Sequence, residues 1–246
     1  MLAHPALEQV AHRPWPLPSR DWLLRQVWHD LLFLHWPIEA ALLRPWIPGA
    51  LAIDEFSGSA WVAVTPFWMS GIGFRKWPGV PLASRFAELN VRTYVRLADR
   101  PGVWFFSLDA ASRLGVFGAR LLYGLPYRTA RMWHRALGEE ILYRSERGPR
   151  AGFEARYGPT GPAAYSNPGS LEHWLTERYC LYAPGDGSRL RRAEIHHAPW
   201  PLQPAAATIT RNDMLKAASL GVAGPPTLLH FSRRLEVVIW PAERVT

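Results

Sequence analysis

The chain has 246 residues, of which 48% are hydrophobic and 20% are charged, so it can bury a sizeable core and is not a disordered chain. Its formal net charge is +8, and Lys76 and Lys216 are the two lysines among its 28 basic residues. The arginines are scattered from Arg13 to Arg244 rather than clustered, which disfavours nucleic acid as a partner and leaves an Arg-rich nucleic-acid binder as a distant alternative.

A loose, Pro-rich N-terminal segment is predicted over residues 1–20, followed by a single domain over residues 21–246. Pro37 predicts the start of a short helix that ends before Pro45. The first half of the domain otherwise alternates strands with turns that are rich in Gly and Pro. The strands predicted there are residues 27–36, 59–69, 86–97 and 103–108.

The clearest predicted helix is residues 111–123, because Asp109 fits its N-cap and Gly124 fits the residue after its end. Shorter helices are predicted at 171–177, capped by Ser170, and after Asn212 up to Gly221. The remaining predicted strands are 127–134, 139–147, 152–157, 179–182, 189–197, 205–210, 227–231 and 235–240. This order predicts an α+β fold built on a mainly antiparallel sheet or barrel with a few peripheral helices.

The strand at residues 86–97 alternates an apolar face with a polar one, and Glu88, Asn90 and Arg92 follow one another along the polar face. If this face points outward, it is an ordinary solvated surface. If it points inward, it supplies an acid, an amide and a guanidinium to a ligand pocket. The sequence leaves both alternatives open.

Tyr127 and Arg128 directly follow a Gly-Leu-Pro turn. Loop residues held by rigid neighbours often carry function, whereas the ordinary alternative is a packed tyrosine beside a surface arginine. The two side chains point to opposite faces if this segment is a strand, so only one of them is expected to line a given pocket.

Arg178, between a predicted helix and a predicted strand, and His197, at the end of the strand predicted at 189–197, are further candidates. Adjacent histidines on a strand point apart, so His196 and His197 make a poor metal pair, and no zinc or nucleotide-binding spacing occurs. The sequence therefore predicts no metal and no cofactor. Cys180 is the single cysteine, which excludes an intramolecular disulfide and suits a reducing, cytoplasmic location.

Five stretches together resemble the bacterial DUF2071 family, also called YqjF-like, from about Trp28 onward. They are residues 86–95, 101–109, 125–132, 170–179 and 196–203. The family has no established activity. The resemblance implies a fold similar to acetoacetate decarboxylase, with a β-rich barrel and a buried pocket.

A weaker resemblance to acetoacetate decarboxylase concerns the chemistry. Its Schiff-base lysine and the lysine beside it correspond to Tyr127 and Arg128 here, and Glu88 resembles one of its pocket glutamates. His29 stands in place of its pocket arginine, and an apolar residue near Trp61 replaces a second glutamate. Because tyrosine cannot form an imine with a ketone, the resemblance excludes decarboxylation through a Schiff base.

These observations predict a cytoplasmic protein with a buried pocket for a small organic acid or carbonyl compound. Glu88, Asn90, Arg92, Tyr127 and Arg128 are its expected polar lining, with Arg178 and His197 as further ligand-binding residues. Tyr127 and Glu88 are the catalytic candidates if the protein is a lyase, hydratase or isomerase. No membrane partner is expected, and both enzymatic activity and homo-oligomer formation are left open.

Overall fold

The computed structural model describes residues 4–75, 85–112, 123–187 and 189–245. These residues form mainly antiparallel strands with a few short helices, which confirms the predicted α+β architecture. The strands are β1 (Leu24–Ile38), β2 (Ala52–Ile53), β3 (Ala60–Phe74), β4 (Phe86–Leu97), β5 (Arg100–Ala110), β6 (Tyr127–Thr129), β7 (Arg131–Leu137), β8 (Glu140–Gly148), β9 (Ala151–Pro159), β10 (Cys180–Pro184), β11 (Leu190–His197), β12 (Gln203–Asn212), β13 (Leu228–Ile239) and β14 (Glu243–Val245). The helices are α1 (Ala40–Leu43), α2 (Leu171–Thr176) and α3 (Met214–Ala217).

Seven of these strands close into a ring. The pairings run β1–β3–β4–β5–β10–β11–β13, and β13 pairs with β1 again. Only the β5–β10 pairing in this ring is parallel. Gly102 of β5 permits the close approach of β10, because a Cβ atom there would lie 2.7 Å from the carbonyl oxygen of Cys180. The ring therefore has an enclosed interior, which is where a buried pocket can form.

A second layer covers one side of the ring. Strands β12, β9, β8 and β7 continue in that order from β13. One hydrophobic core lies between this layer and the ring, where Leu89 and Val91 of β4 join Tyr143 of β8 and Phe153 of β9 in one cluster. A second cluster fills the ring and includes Phe33 and Tyr94. Alternate residues of β4 thus serve different cores.

The N-terminal segment contacts the domain at several points. A short 3₁₀ helix, Pro5–Leu7, begins the described chain, and Ala6 packs in a cluster with Trp22 and Trp240. Arg13 is 7% exposed and forms an ion pair with Glu194 of β11. Arg13 and Glu194 are 181 positions apart in sequence, so local composition cannot show this contact.

Several element boundaries differ from the predictions. Residues 227–231 and 235–240 belong to one continuous strand, β13, and the strand predicted at 127–134 is divided into β6 and β7. The helix expected between Asn212 and Gly221 is reduced to α3. Most of the helix predicted at 111–123 lies outside the described residues. Gly124 adopts a φ of 69°, the left-handed conformation expected after a helix end.

Candidate functional site

A cavity of about 100 Å³ lies inside the ring. Strands β1, β3, β4, β5, β10, β11 and β13 all contribute lining residues, together with residues next to β6 and α2. The polar groups of this lining include Glu88, Asn90, Arg92, Tyr127 and Arg178. Five of the polar residues predicted to bind a ligand or to be catalytic therefore line one cavity.

The polar face of β4 points inward. Glu88, Asn90 and Arg92 all line the cavity, whereas Leu89 and Val91 between them pack in the core on the other side. Asn90 is 6% exposed, and Glu88 is 3% exposed. Since the face lies inside the ring, the ordinary alternative of a solvated strand surface is wrong. The apolar outer layer decides this orientation, because it covers the opposite face of β4.

Glu88 and Tyr127 form a buried hydrogen-bonded pair. The phenolic hydroxyl of Tyr127 donates to Oε2 of Glu88 over 2.9 Å. Burial raises the pKa of Glu88 to about 8, although its hydrogen bond from Tyr127 opposes the shift. Burial, and secondarily the nearby Glu88, raises the pKa of Tyr127 well above its usual value. At neutral pH both groups therefore hold a proton inside the cavity.

The pair is anchored from the outer layer. The hydroxyl of Tyr143 lies 2.6 Å from the backbone oxygen of Glu88 and 3.1 Å from that of Phe67. Asp109, on the neighbouring strand β5, adds a negative charge that also raises the pKa of Glu88. Its own pKa is raised to about 6, chiefly by burial, although Arg147 donates to it over 2.8 Å. Tyr143 of the outer layer thus holds the backbone of Glu88, while Asp109 of the ring affects its protonation.

Asn90 and Thr65 occupy the middle of the cavity wall and face each other across the β3–β4 pairing. The Asn90 side chain hydrogen bonds to Glu88. Among the described residues, neither Oδ1 of Asn90 nor Oγ1 of Thr65 has a hydrogen-bond partner. Buried polar atoms usually have partners, so these two atoms are available to a polar ligand.

Arg92 and Arg178 bring two guanidinium groups to the same end of the cavity. Both lie against the ring of Tyr94, with Cζ at 5.8 Å and 5.0 Å from its centroid. Arg178 donates to Oδ2 of Asp54 over 2.6 Å and to the backbone oxygen of Trp174 over 2.6 Å. Arg92 forms no ion pair with any residue in the described ranges. This end of the cavity therefore carries more positive than negative charge.

Both guanidinium groups also keep unpartnered nitrogens. Nε of Arg92 and Nη2 of Arg178 are buried without a hydrogen-bond partner in the part of the chain that the structure describes. Arg178 as a whole is 4% exposed. A buried donor without a partner costs about 1–3 kcal/mol, and an anion is the ligand that best satisfies both the donors and the charge.

His197 lines the cavity as predicted, but its polar atoms are engaged by the protein. Nδ1 lies 2.8 Å from the backbone oxygen of Ala198. The ring stacks on Tyr179 with centroids 4.9 Å apart and meets Trp200 edge-on at 5.3 Å. Burial lowers its pKa. His197 therefore contributes an uncharged, aromatic part of the wall.

Arg128 does not line the cavity, so its predicted role in ligand binding is corrected. Its side chain is exposed, while Tyr127 before it faces inward. Strand β6 is paired in parallel with β5, and successive side chains on it alternate. The cavity arginine that replaces it is Arg178, which sequence reasoning had ranked lower.

His29 is also outside the cavity. It stacks on Trp68 with centroids 3.8 Å apart, and Nε2 lies 2.8 Å from Oγ of Ser70. Instead, Gln26 and Trp28 of the same strand line the cavity. Because side chains alternate along β1, His29 does not contribute to the cavity that Gln26 and Trp28 line.

Sequence reasoning missed several cavity partners. Asp54, Thr65 and Trp28 belong to none of the stretches that carry the family resemblance, and Trp200 lies in the stretch 196–203 without being predicted as a pocket residue. Trp28 stacks on Trp200 at a centroid distance of 5.8 Å, which forms an aromatic wall. The abundance of tryptophan was the one sequence signal for these residues. It predicts aromatic pocket walls, but it does not show which tryptophans form them.

Among the residues that the structure describes, the remaining charged side chains form surface ion pairs and no competing site. Exposed arginines pair with carboxylates over the surface, as Arg244 does with Asp186 and Arg156 does with Glu140. Within the described ranges, no three His, Cys, Asp or Glu side chains gather closely enough to hold a metal ion. No helix in those ranges is long and apolar enough to cross a membrane.

The chain is similar in sequence to the uncharacterized protein YqjF of Bacillus subtilis strain 168. The two are 40% identical over 239 residues, which cover 96% of this chain and 98% of YqjF. The DUF2071 family, described as an uncharacterized conserved protein, matches residues 25–236.

Solved structures share the fold. Acetoacetate decarboxylase from Legionella pneumophila matches with a TM-score of 0.66 and 13% identity, over 96% of this chain and 93% of that one. The enduracididine biosynthesis enzyme MppR, complexed with pyruvate, matches with a TM-score of 0.63 and 9% identity, over 93% and 92%. The predicted likeness to acetoacetate decarboxylase is confirmed at the level of fold. The sequence match over most of its length shows that the chain belongs to the DUF2071 family.

Proposed function

We propose that the ring cavity binds a small carboxylic acid that also carries a carbonyl group. One observation carries this proposal: Arg92 and Arg178 lie at one end of the cavity, and Asp54 is their single carboxylate partner among the described residues. Glu88 does not balance the second charge at neutral pH, since its pKa is about 8. A ligand carboxylate does, through charge-assisted hydrogen bonds.

The carbonyl group is assigned to the other end of the polar row. Glu88 and Arg92 are four residues apart on β4, which places their Cα atoms about 13 Å apart, and their side chains reach into the space between. Protonated Glu88, which accepts a hydrogen bond from Tyr127, can donate its own proton in a hydrogen bond to a ligand oxygen there. MppR, a structural neighbour, is named as binding pyruvate, and this supports a 2-oxo acid as the first probe.

Pyruvate titration tests the proposal. Isothermal titration calorimetry at pH 7 should give saturable binding to the wild-type protein. Arg92→Gln should weaken the Kd at least tenfold, because it removes a charged donor worth about 1.5–3 kcal/mol. The matched control is Arg128→Gln, which removes an exposed arginine near the same chain segment and should leave the Kd unchanged. Absence of saturable binding, or an equal loss in both variants, would overturn the proposal.

A second candidate function is proton transfer next to the carbonyl, as in a lyase, hydratase or isomerase. It is favoured by the 2.9 Å hydrogen bond between Tyr127 and Glu88 and by a Glu88 pKa near the working pH of a general base. In this reaction the ionised Glu88 takes a proton from the carbon beside the ketone. Tyr127 then donates a hydrogen bond to the oxygen on which negative charge develops.

Exchange of the pyruvate methyl hydrogens for deuterium distinguishes a protein that only binds the ligand from one that catalyses this proton transfer. In D₂O at pH 8, proton NMR of pyruvate should show loss of the methyl signal faster with protein than with buffer alone. Glu88→Gln should abolish the acceleration because the base is gone, and Tyr127→Phe should reduce it. Binding without accelerated exchange would reject the second candidate and leave a binding or sensing protein.

We expect no Schiff-base intermediate. No lysine is among the residues that line the cavity, and Lys216 is exposed on α3. Lys76 lies outside the described residues. Borohydride treatment with pyruvate should leave the protein mass unchanged. A stable adduct at either lysine would show that imine chemistry persists by another route.

A further inference from the structure

The polar residues of the cavity come mainly from one side of the ring. Glu88, Asn90 and Arg92 lie on β4, and Thr65 lies on β3 beside it. In the closed strand order, β11 and β13 lie on the side opposite β4. A bound molecule therefore meets two chemically different walls.

The opposite wall is uncharged and mainly apolar. Strand β11 contributes Ile195 and the uncharged ring of His197, β13 contributes Ile239, and the stacked rings of Trp28 and Trp200 lie next to them. The polar atoms nearby are mostly used within the protein, since Oε1 of Gln26 accepts from Nε1 of Trp28 over 2.9 Å. Nε1 of Trp200 has no partner among the described residues, but it is neutral and cannot balance a second ligand charge.

The cavity is also small. Its volume of about 100 Å³ is below the roughly 150 Å³ of an apolar protein cavity that holds benzene. A short branched chain fits this space, while a large ring beyond the carboxylate does not. Each methylene group of the ligand that moves from water to an apolar wall lowers the Kd about threefold to fourfold.

Resting on the proposed function, we infer that the cavity selects 2-oxo acids with one carboxylate and a short, branched apolar tail. The carboxylate lies at Arg92 and Arg178, and the tail lies against Ile195 and Trp200. A second carboxylate on the tail would enter an uncharged wall without a partner. Burying an unpaired charge is strongly unfavourable, which predicts rejection of dicarboxylates.

A series of sodium salts tests this selection by calorimetry at pH 7. The Kd should fall about threefold with each added carbon from pyruvate through 2-oxobutanoate to 3-methyl-2-oxobutanoate. It should rise at least tenfold from pyruvate to the dianion 2-oxoglutarate. Phenylpyruvate should bind more weakly than 3-methyl-2-oxobutanoate, because its ring exceeds the cavity.

A pair of matched isoleucine variants tests whether the cavity wall causes the increase in affinity with tail length. Ile195→Thr should flatten the increase in affinity along the series, because it makes the wall polar. Ile209→Thr changes a half-buried isoleucine on β12, outside the ring cavity, and should preserve the increase. Thermal melting checks that both variants are folded, and Ile239→Thr replaces Ile195→Thr if that variant does not fold.

The two levels of the proposal fail differently. If none of the salts binds, the proposed function is wrong. If pyruvate binds but the series shows no increase, or 2-oxoglutarate binds as well as pyruvate, only the selection for an apolar tail is overturned.

Discussion

Two buried glutamates have opposite environments in this fold. Glu88 and Glu194 are each 3% exposed, yet their partners differ. Glu88 faces the ring cavity and bonds to the uncharged side chains of Tyr127 and Asn90. Glu194 faces away from the cavity and pairs with Arg13, Arg100 and Arg192.

The comparison shows that burial alone does not define a functional carboxylate. Glu194 also accepts a hydrogen bond from Nε1 of Trp15 over 2.7 Å, so donors surround both of its oxygens and it holds the N-terminal segment on β11. Glu88 has no cation partner among the described residues, and its pKa rises to about 8. The Glu194 cluster is therefore structural, whereas Glu88 is suited to exchange a proton.

The largest effect is expected at Glu194. Arg13→Gln leaves a buried carboxylate with fewer partners and should lower the free energy of unfolding by about 3 kcal/mol, measured by urea denaturation at pH 7. The double variant Arg13→Gln with Glu194→Gln should recover much of this loss, because no uncompensated charge remains. A loss below about 1 kcal/mol in the single variant would contradict the structural role.

Glu88 should give a pH-dependent effect instead. Its folded pKa of about 8 lies above its ordinary value of 4.5, so its stabilising contribution is complete below pH 4.5 and is lost as the pH rises through 8. Between pH 7 and pH 8 this group alone should lower the unfolding free energy by about 1 kcal/mol. Glu88→Gln should flatten the profile in this window, and an unchanged slope would argue against the raised pKa.

Arg92 should behave in the opposite way to Arg13. Because Arg92 has no ion-pair partner in the described part of the chain, Arg92→Gln should leave the unfolding free energy within about 1 kcal/mol of the wild type. Urea denaturation without ligand measures this. A destabilisation as large as that of Arg13→Gln would place Arg92 with the structural arginines and weaken its assignment to a ligand.

The smallest expected effect is that of Asp109 on the cavity acid. Asp109→Asn removes a negative charge that raises the pKa of Glu88, so the pH at which Glu88 ionises should fall. The shift is measurable as a displaced midpoint in the carboxyl ¹³C titration, with Glu88→Gln identifying the signal. The exposed Asp186→Asn serves as control and should leave the midpoint in place.

Sequence patterns predicted the individual strands better than the contacts between them. The alternation in β4 identified Glu88, Asn90 and Arg92 as one face, and the Gly-Leu-Pro turn drew attention to Tyr127. Pairing across the ring determined the rest. Asp54 meets Arg178 across 124 positions of sequence, and no local pattern records such a contact.

Local sequence patterns were enough to predict the periodicity of the strands and the α+β class, and the residue at position 127 is visibly a tyrosine and not a lysine. These features depend on neighbours within a few residues, where backbone geometry links spacing to direction. Three further features follow from long-range packing: the polar face of β4 points inward, Arg178 rather than Arg128 reaches the cavity, and the N-terminal segment contacts the domain. Each of those depends on which distant strand covers which face, and that follows from ring closure and the burial of apolar surface by the outer layer.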